Sequence, residues 1–273
     1  MSKQFKLGIV VDVVPLDKIS KGWEYFEVPA SIHASALLCD SEWDTQKKLY
    51  KEDGRPCLST SHLLGPGTTW MGACGPLYNR ELILFALEHE FARLNELGCK
   101  YIGCWGGHFR CPNGFDRSKA IDQAISSINI MADFAEKYGM QIALEPQAEA
   151  DTLFPRYLEG IEFAKMTGRR SVKVMADLNY FIELKQPLED ILKYPDYCLD
   201  VHIQGDGGAQ PNVGKREDIF IRLFEILKEI GYDKGVSAAC PWVITNGANE
   251  IDYKYETDTT LEFLQDLRAR VYK

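Results

Sequence analysis

Short apolar runs alternate along the chain with longer amphipathic stretches. The runs fall near residues 7–11, 25–28, 57–59, 101–104, 142–145, 172–177, 199–203 and 236–240, and each is predicted as a strand. The stretches between most of them carry helical spacing. Ile83, Leu87, Phe91 and Leu94 share one face, as do Ile121, Ile125, Ile128, Met131 and Ala135, and later Ile219, Leu223, Ile226 and Ile230. Four helical stretches close on a glycine that leads straight into a strand: Leu97-Gly98, Tyr138-Gly139, Thr167-Gly168 and Ile230-Gly231. Glycine just past a helix supplies the left-handed turn that ends it, so the recurrence marks a repeated helix-to-strand unit.

Strands that alternate with helices pair in parallel through crossovers. Eight such units in 273 residues predict an α/β fold, a closed (β/α)8 barrel forming one domain over residues 1–273. A doubly wound open sheet is the alternative topology. It lacks support, because no Gly-x-Gly-x-x-Gly follows the first strand. The glycine- and proline-rich segment 62–76, which contains Trp70 and Met71, reads as a binding loop or lid, and 212–217 and 242–255 are similar loops after late strands. Barrel active sites are built from such loops on the C-terminal face.

A hydrophobic content of 45% supports a large core, and no run is apolar for the length that a bilayer needs. The N-terminus resembles a secretory leader only briefly. Its apolar run is short, Asp12 interrupts it and no small-residue cleavage site follows, so it is predicted as the first strand and the protein as cytoplasmic. Eight scattered cysteines without a Cys-x-x-Cys pair are read as mostly reduced thiols. The net charge of −9 argues against a nucleic-acid partner, and Arg169-Arg170 and Lys215-Arg216 are read as solvated doublets. An uncharged or weakly charged small molecule fits better.

Three strands end on a metal-ligand residue type: Ile142-Ala143-Leu144-Glu145-Pro146, Val172 to Asp177, and Leu199-Asp200-Val201-His202. Glu145 and Asp177 stand 32 residues apart, and Asp177 and His202 stand 25 apart. Each interval fits one helix and one strand, so the three side chains return to one end of the barrel. Neighbouring bare carboxylates repel until one protonates, and a divalent cation removes that conflict. The bland alternatives are that Glu145 caps a helix, Asp177 pairs with a basic residue and His202 is a satisfied core histidine.

Over nearly its whole length the chain resembles the xylose-isomerase-like barrel superfamily, which includes sugar phosphate isomerases and epimerases. The resemblance is carried by Tyr25-Phe26-Glu27-Val28-Pro29, Leu144-Glu145-Pro146, Ala176-Asp177-Leu178-Asn179, Val201-His202-Ile203 and the stretch from Asn212 to Phe220. It implies one divalent metal ion (manganese, magnesium, cobalt or zinc) held by Glu145, Asp177, His202 and a fourth ligand at the end of the last strand. It also implies that Glu145 acts as a base next to a sugar carbonyl through an enediolate, with a second glutamate on the opposite face. That second glutamate is missing. Aligning Cys240-Pro241 with the family's Glu-Pro puts a thiol in the fourth-ligand slot, and a one-residue shift puts Ala239 there. A small buried strand residue is the plain reading of Cys240. The family often carries a histidine where Tyr180 stands, and an arginine in a stretch where residues 204–210 supply none.

His108 is the second candidate catalytic group, as an acid or base at the rim. Glu27, His62, Trp105, Asp151 and Trp242 are candidate substrate contacts, with Trp70 as a further apolar wall. The plain alternatives are hydrogen-bonded loop histidines, a paired Glu27 and tryptophans packed in the core. His33 and His89 are read as structural. The expected activity is a metal-dependent sugar isomerase or epimerase. The alternatives are a lyase acting on a keto-sugar, cyclitol or C-glycoside, and a barrel that binds a sugar or partner without turnover. A repair endonuclease needs a multi-zinc cluster, which five histidines support poorly. The expected partner is a carbohydrate, with no nucleic acid or membrane. A homo-oligomer and a hetero-oligomer with a small subunit are both left open.

Overall fold

The computed structural model describes residues 4–11, 14–64 and 71–273. Trp70, one of the proposed apolar walls, lies outside the described residues. Eight strands are present: β1 (Lys6–Val10), β2 (Tyr25–Pro29), β3 (Cys57–Ser61), β4 (Tyr101–Trp105), β5 (Gln141–Glu145), β6 (Val172–Asp177), β7 (Cys198–Ile203) and β8 (Gly235–Ala238). They pair in parallel in chain order, and β8 closes on β1, so the sheet is a barrel and not an open doubly wound sheet. The eighth strand ends at Ala238 instead of reaching Cys240.

The helices are α1 (Ala30–His33), α2 (Asp40–Asp53), α3 (Arg80–Leu97), α4 (Arg117–Lys137), α5 (Tyr157–Met166), α6 (Leu178–Glu183), α7 (Asp190–Lys193), α8 (Glu217–Glu229) and α9 (Tyr253–Val271). Asn79 starts α3 by accepting from the backbone N–H groups of Glu81 and Leu82, and Asp116 does the same for α4 through Lys119. Gly98, Gly139, Gly168 and Gly231 all take positive φ, between 65° and 84°, as the helix-ending glycines require. The main core lies between barrel and helices, where Ile83, Leu87, Phe91 and Leu94 of α3 and Phe220, Leu223 and Ile226 of α8 are buried.

Inside the barrel the floor is built differently. Tyr25 is fully buried, and a Cβ on Gly8 would come within 2.0 Å of its ring and one on Gly235 within 2.4 Å of its hydroxyl oxygen. Two glycines on the neighbouring strands β1 and β8 therefore give Tyr25 its space. Above this floor the interior turns polar. Glu27, Ser59, Asp200 and Ser237 are each wholly buried. They prepare the C-terminal end of the barrel, where the strand-end residues meet.

Candidate active site

Glu145 and Asp177 are the last residues of their strands, and the β6–β7 register places Asp177 level with His202. One ligand atom from each of Glu145, Asp177 and His202 lies within 4.8 Å of the others. Asp177 also caps α6, with one oxygen accepting from the N–H of Asn179 at 2.8 Å. Its other oxygen accepts from the Gln204 side-chain amide at 3.1 Å. The carboxylate is thereby fixed in direction.

The imidazole of His202 is oriented from behind. Its Nε2 stands 2.8 Å from Glu27 Oε1, while Nδ1 faces Asp177 at 3.7 Å and Glu145 at 3.9 Å. The second Glu27 oxygen accepts from Ser237 Oγ at 2.5 Å and Ser59 Oγ at 3.2 Å. Ser237 gives its only proton to Glu27, so Tyr25 donates to Ser237 across their 2.6 Å contact. A relay runs from the barrel floor through Tyr25, Ser237 and Glu27 to His202. Its effect is to hold Nε2–H against a carboxylate and to aim Nδ1 at the two strand-end acids.

Electrostatics separate these acids. Burial alone would raise the Glu27 pKa, yet the adjacent His202 and the hydrogen bonds from His202, Ser237 and Ser59 hold it below the ordinary value. Asp200 lies beneath, and burial together with the Glu27 charge pushes its carboxyl well above the usual range. Glu145 is pushed up to about 8 by burial, with His202 pulling it down and Asp177 and Glu27 adding to the rise. Burial disfavours a charged His202, but Glu27, Asp177 and Glu145 outweigh it and raise its pKa well above normal. Without a cation, then, protons neutralise the cluster.

The donor set fits a divalent ion. Two carboxylates and one imidazole nitrogen converge, and the far side of that imidazole already carries the carboxylate that fixes metal-ligating histidines elsewhere. A second group of the same residue types, Glu27, Asp200 and His202, also lies within 4.8 Å. That group is closed, because Glu27 and Asp200 are wholly buried away from the cavity and Glu27 is already met by Ser59, Ser237 and His202.

A cavity of about 300 Å³ opens over the upper group. Its walls include Val10, Ser61, His62, Trp105, Tyr180, Gln204, Ala239 and Cys240. His62 holds φ at 52°, in a region that non-glycine residues rarely occupy, with its carbonyl fixed by the N–H of Ser31 at 3.0 Å. Tyr180 packs beside Glu145, Asp177 and Trp105.

Several expectations are corrected. The Cys240 thiol lines the cavity wall but does not join the ligand cluster. With the Ser237 side chain directed into the barrel, period-two alternation brings Ala239, not Cys240, to the interior face of the continuing chain. Glu27 is wholly buried behind His202 and does not reach the cavity, so it cannot contact a substrate there. Trp242 is buried in the main core. Asp151 faces Arg110 at 3.4 Å and, with the buried His108, borders a separate cavity. Burial, helped by His62, pulls the His108 pKa down to about 4, so the ring is neutral, and it does not line the cavity over Glu145. Arg216 is not solvated. It bridges the Gln204 carbonyl at 3.1 Å, Asn179 at 3.3 Å and Asp206 at 3.0 Å. His33 bonds the Tyr50 hydroxyl and His89 the Phe85 carbonyl, both structural contacts.

Sequence reasoning missed Ser61, Tyr180 and Gln204 as wall residues. Period two was the available signal for two of them, since Gln204 follows His202 and Ser61 follows Ser59 on the same face. Tyr180 lies within the first turn of α6, just past Asp177, where no strand period gives its direction.

The profile of the xylose isomerase-like TIM barrel family matches residues 20–267. No curated protein matches the chain significantly. Among solved structures, a 3-keto-D-glucoside 4-epimerase from E. coli is 18% identical, with 97% of this chain and 100% of that one covered and a TM-score of 0.75. A D-psicose 3-epimerase from Clostridium cellulolyticum H10, solved with D-tagatose, is 20% identical, with 97% and 99% covered and a TM-score of 0.79. A family 2 AP endonuclease from Brucella melitensis is 16% identical, with 97% and 98% covered and a TM-score of 0.71. At such identities the likeness fixes the fold and leaves chemistry to the side chains. Over most of its length, this chain belongs to the xylose isomerase-like TIM barrel family.

Proposed function

We propose that the protein is a divalent-metal-dependent enzyme that moves a proton at a carbon beside the carbonyl of an uncharged sugar, with Glu145 as the base. The observation that carries this is the convergence of Glu145, Asp177 and His202 Nδ1 at the floor of an open cavity, with Glu27 fixing the imidazole. Two of the solved relatives are sugar epimerases by their descriptions, which favours a sugar over nucleic acid. Among the described residues no lysine or arginine lines the cavity, so nothing there answers a phosphate or a sugar acid.

A divalent ion in this site supplies positive charge that lowers the cost of the enediolate. Glu145, Asp177 and His202 would hold it. Glu145 takes the proton, since it lines the cavity and, unlike Asp177, is not tied to a helix cap. Gln204 and the α6 backbone hold Asp177 still, and Trp105 and Tyr180 give the sugar a wall.

Stereochemistry narrows the reaction. Inverting a carbon requires a second acid on the opposite face. The family's glutamate on the last strand is absent, Ser237 is engaged by Glu27, and Ala239 carries no proton. Proton removal and return on one face gives aldose–ketose isomerisation, and the same single base serves an elimination. Incubation with ketoses in D2O with manganese tests this. Deuterium incorporated with configuration retained at the exchanging carbon is expected. Deuterated product inverted at C3 would contradict the one-face reading.

A further inference from the structure

Each oxygen of the Asp177 carboxylate is met by a residue that is held in turn by Arg216. Asn179 donates its backbone N–H to Oδ1 at 2.8 Å, and the Gln204 side-chain amide donates to Oδ2 at 3.1 Å. Arg216 Nη1 donates to the Asn179 side-chain oxygen at 3.3 Å and to the Gln204 backbone carbonyl at 3.1 Å. That nitrogen carries two protons, so it serves both acceptors at once. Asp177, Asn179, Arg216 and Gln204 thus close a ring of hydrogen bonds that joins the start of α6 to the segment after β7.

The segment after β7 folds onto itself to bring Arg216 back to Gln204. Gly205 and Asp206 donate their backbone N–H groups to the carbonyls of Ala209 at 2.7 Å and Val213 at 3.0 Å. A Cβ on Gly205 would come within 2.4 Å of the Gln210 carbonyl oxygen, so this close return needs glycine. Asp206 closes the knot by accepting from the Lys215 N–H and from Arg216 Nε, each at 3.0 Å. The Arg216 side chain is only 12% exposed, whereas that of Asp206 is 53% exposed. An ion pair with so exposed a carboxylate stabilises little, and it does not account for burying a guanidinium. The burial instead places a planar head whose donors point in fixed directions, which a lysine does not copy. Arg216 precedes α8, and its side chain makes no cap bond to that helix, so a substitution there leaves the helix start alone.

We propose that Arg216 is the positioning residue for the candidate metal ligand Asp177, acting through Asn179 and Gln204. It borders neither the cavity nor the ligand cluster. This rests on the reading of Glu145, Asp177 and His202 as a metal site. Loss of a residue that orients a ligand costs about 10–100-fold in metal affinity, and Arg216, one contact further out, belongs at the lower end of that range.

Two measurements on wild type, Arg216→Lys and Arg216→Met test the assignment: manganese affinity by competition with a chelator, and amide hydrogen exchange by NMR in the metal-free protein. Thermal melts of the metal-free proteins report that the barrels are intact. The Asn179 and Tyr180 amides lie in the first turn of α6 and donate to Asp177, so their exchange reports how firmly that carboxylate is held. Both variants are expected to bind manganese about tenfold more weakly, and to exchange these two amides faster while the β1 amides are unchanged. Lysine keeps the charge beside Asp206 but not the fork, so it separates positioning from charge. Wild-type affinity in Arg216→Lys overturns the proposal, as does unchanged exchange at Asn179 in either variant. If Arg216→Met does not fold, Arg216→Lys decides by the same criteria. If wild type binds no manganese, the metal-site reading fails and exchange alone decides on Arg216. Faster exchange at Asn179 and Tyr180 then upholds it as the residue that holds Asp177, and unchanged exchange overturns it.

Discussion

Two clusters of the same residue types share His202, one above it and one below. Above, Glu145 and Asp177 face the cavity. Below, Glu27 and Asp200 are sealed in the barrel. Composition and spacing do not tell them apart. Access does. The lower carboxylate Glu27 is met by Ser59, Ser237 and His202, and both it and Asp200 are sealed away from the cavity. The upper acids line the cavity, even though Asp177 accepts from the N–H groups of Asn179 and Tyr180 and from Gln204. A buried acid beside a histidine is therefore a metal-ligand candidate when it opens onto a cavity, and a support when it is sealed behind the ring.

The largest effect that would break this comparison comes from the upper cluster. Glu145→Gln is expected to lower turnover by about 10³-fold, the range for a lost general base, and steady-state kinetics on any substrate found active would show it. A variant with turnover within a few fold of wild type would remove Glu145 from the chemistry. Next comes the shared relay. Glu27→Gln weakens the hold on His202 without touching the cavity, and a loss of about 10–100-fold in metal affinity is expected by competition with a chelator. Ser237→Ala should produce a smaller loss of the same kind, because it removes one of the three hydrogen bonds on Glu27. If Ser237→Ala proves the worse of the two, the relay has been read in the wrong direction.

Proton linkage sharpens the contrast further. A metal ion must displace the proton that Glu145 carries below about pH 8 and the one that its acidic neighbours hold on His202, so apparent metal affinity should rise with pH through that value and beyond it. Titration in buffers of different ionisation enthalpy should show protons released, and fewer in Glu145→Gln. The smallest effect belongs to the lower cluster. The Asp200 pKa is raised in the folded chain, so its contribution to stability is full below about pH 4, the unfolded value, and declines as pH rises toward the folded value. Asp200→Asn removes that decline. Thermal melts should find the variant relatively more stable as pH increases, with metal binding unchanged.

Much of this was legible from the sequence for a physical reason. Strand and helix periods and the helix-ending glycines are local, and they placed all eight strands and the four left-handed turns. Glu145, Asp177 and His202 stood out because a polar residue closing an apolar run must sit at the rim of a core. What was lost depends on contacts distant in sequence. Glu27 and His202 are 175 residues apart, so no local pattern separates a carboxylate behind the histidine from one facing a sugar. Cys240 was misplaced because the facing of β8 is set by Ser237 bonding Glu27, itself a long-range contact. His108 and Trp242 lie outside the strands, where periodicity gives no direction.

The central claim is that the upper cluster holds one divalent ion. Elemental analysis of protein reloaded with manganese or zinc and dialysed tests it most directly, with Asp177→Asn, Glu145→Gln and Asp200→Asn alongside. About one ion per chain in wild type and Asp200→Asn, lost in the other two, is the expected result. No bound ion in wild type after reloading, or an ion lost with Asp200→Asn and kept with Asp177→Asn, would contradict the account.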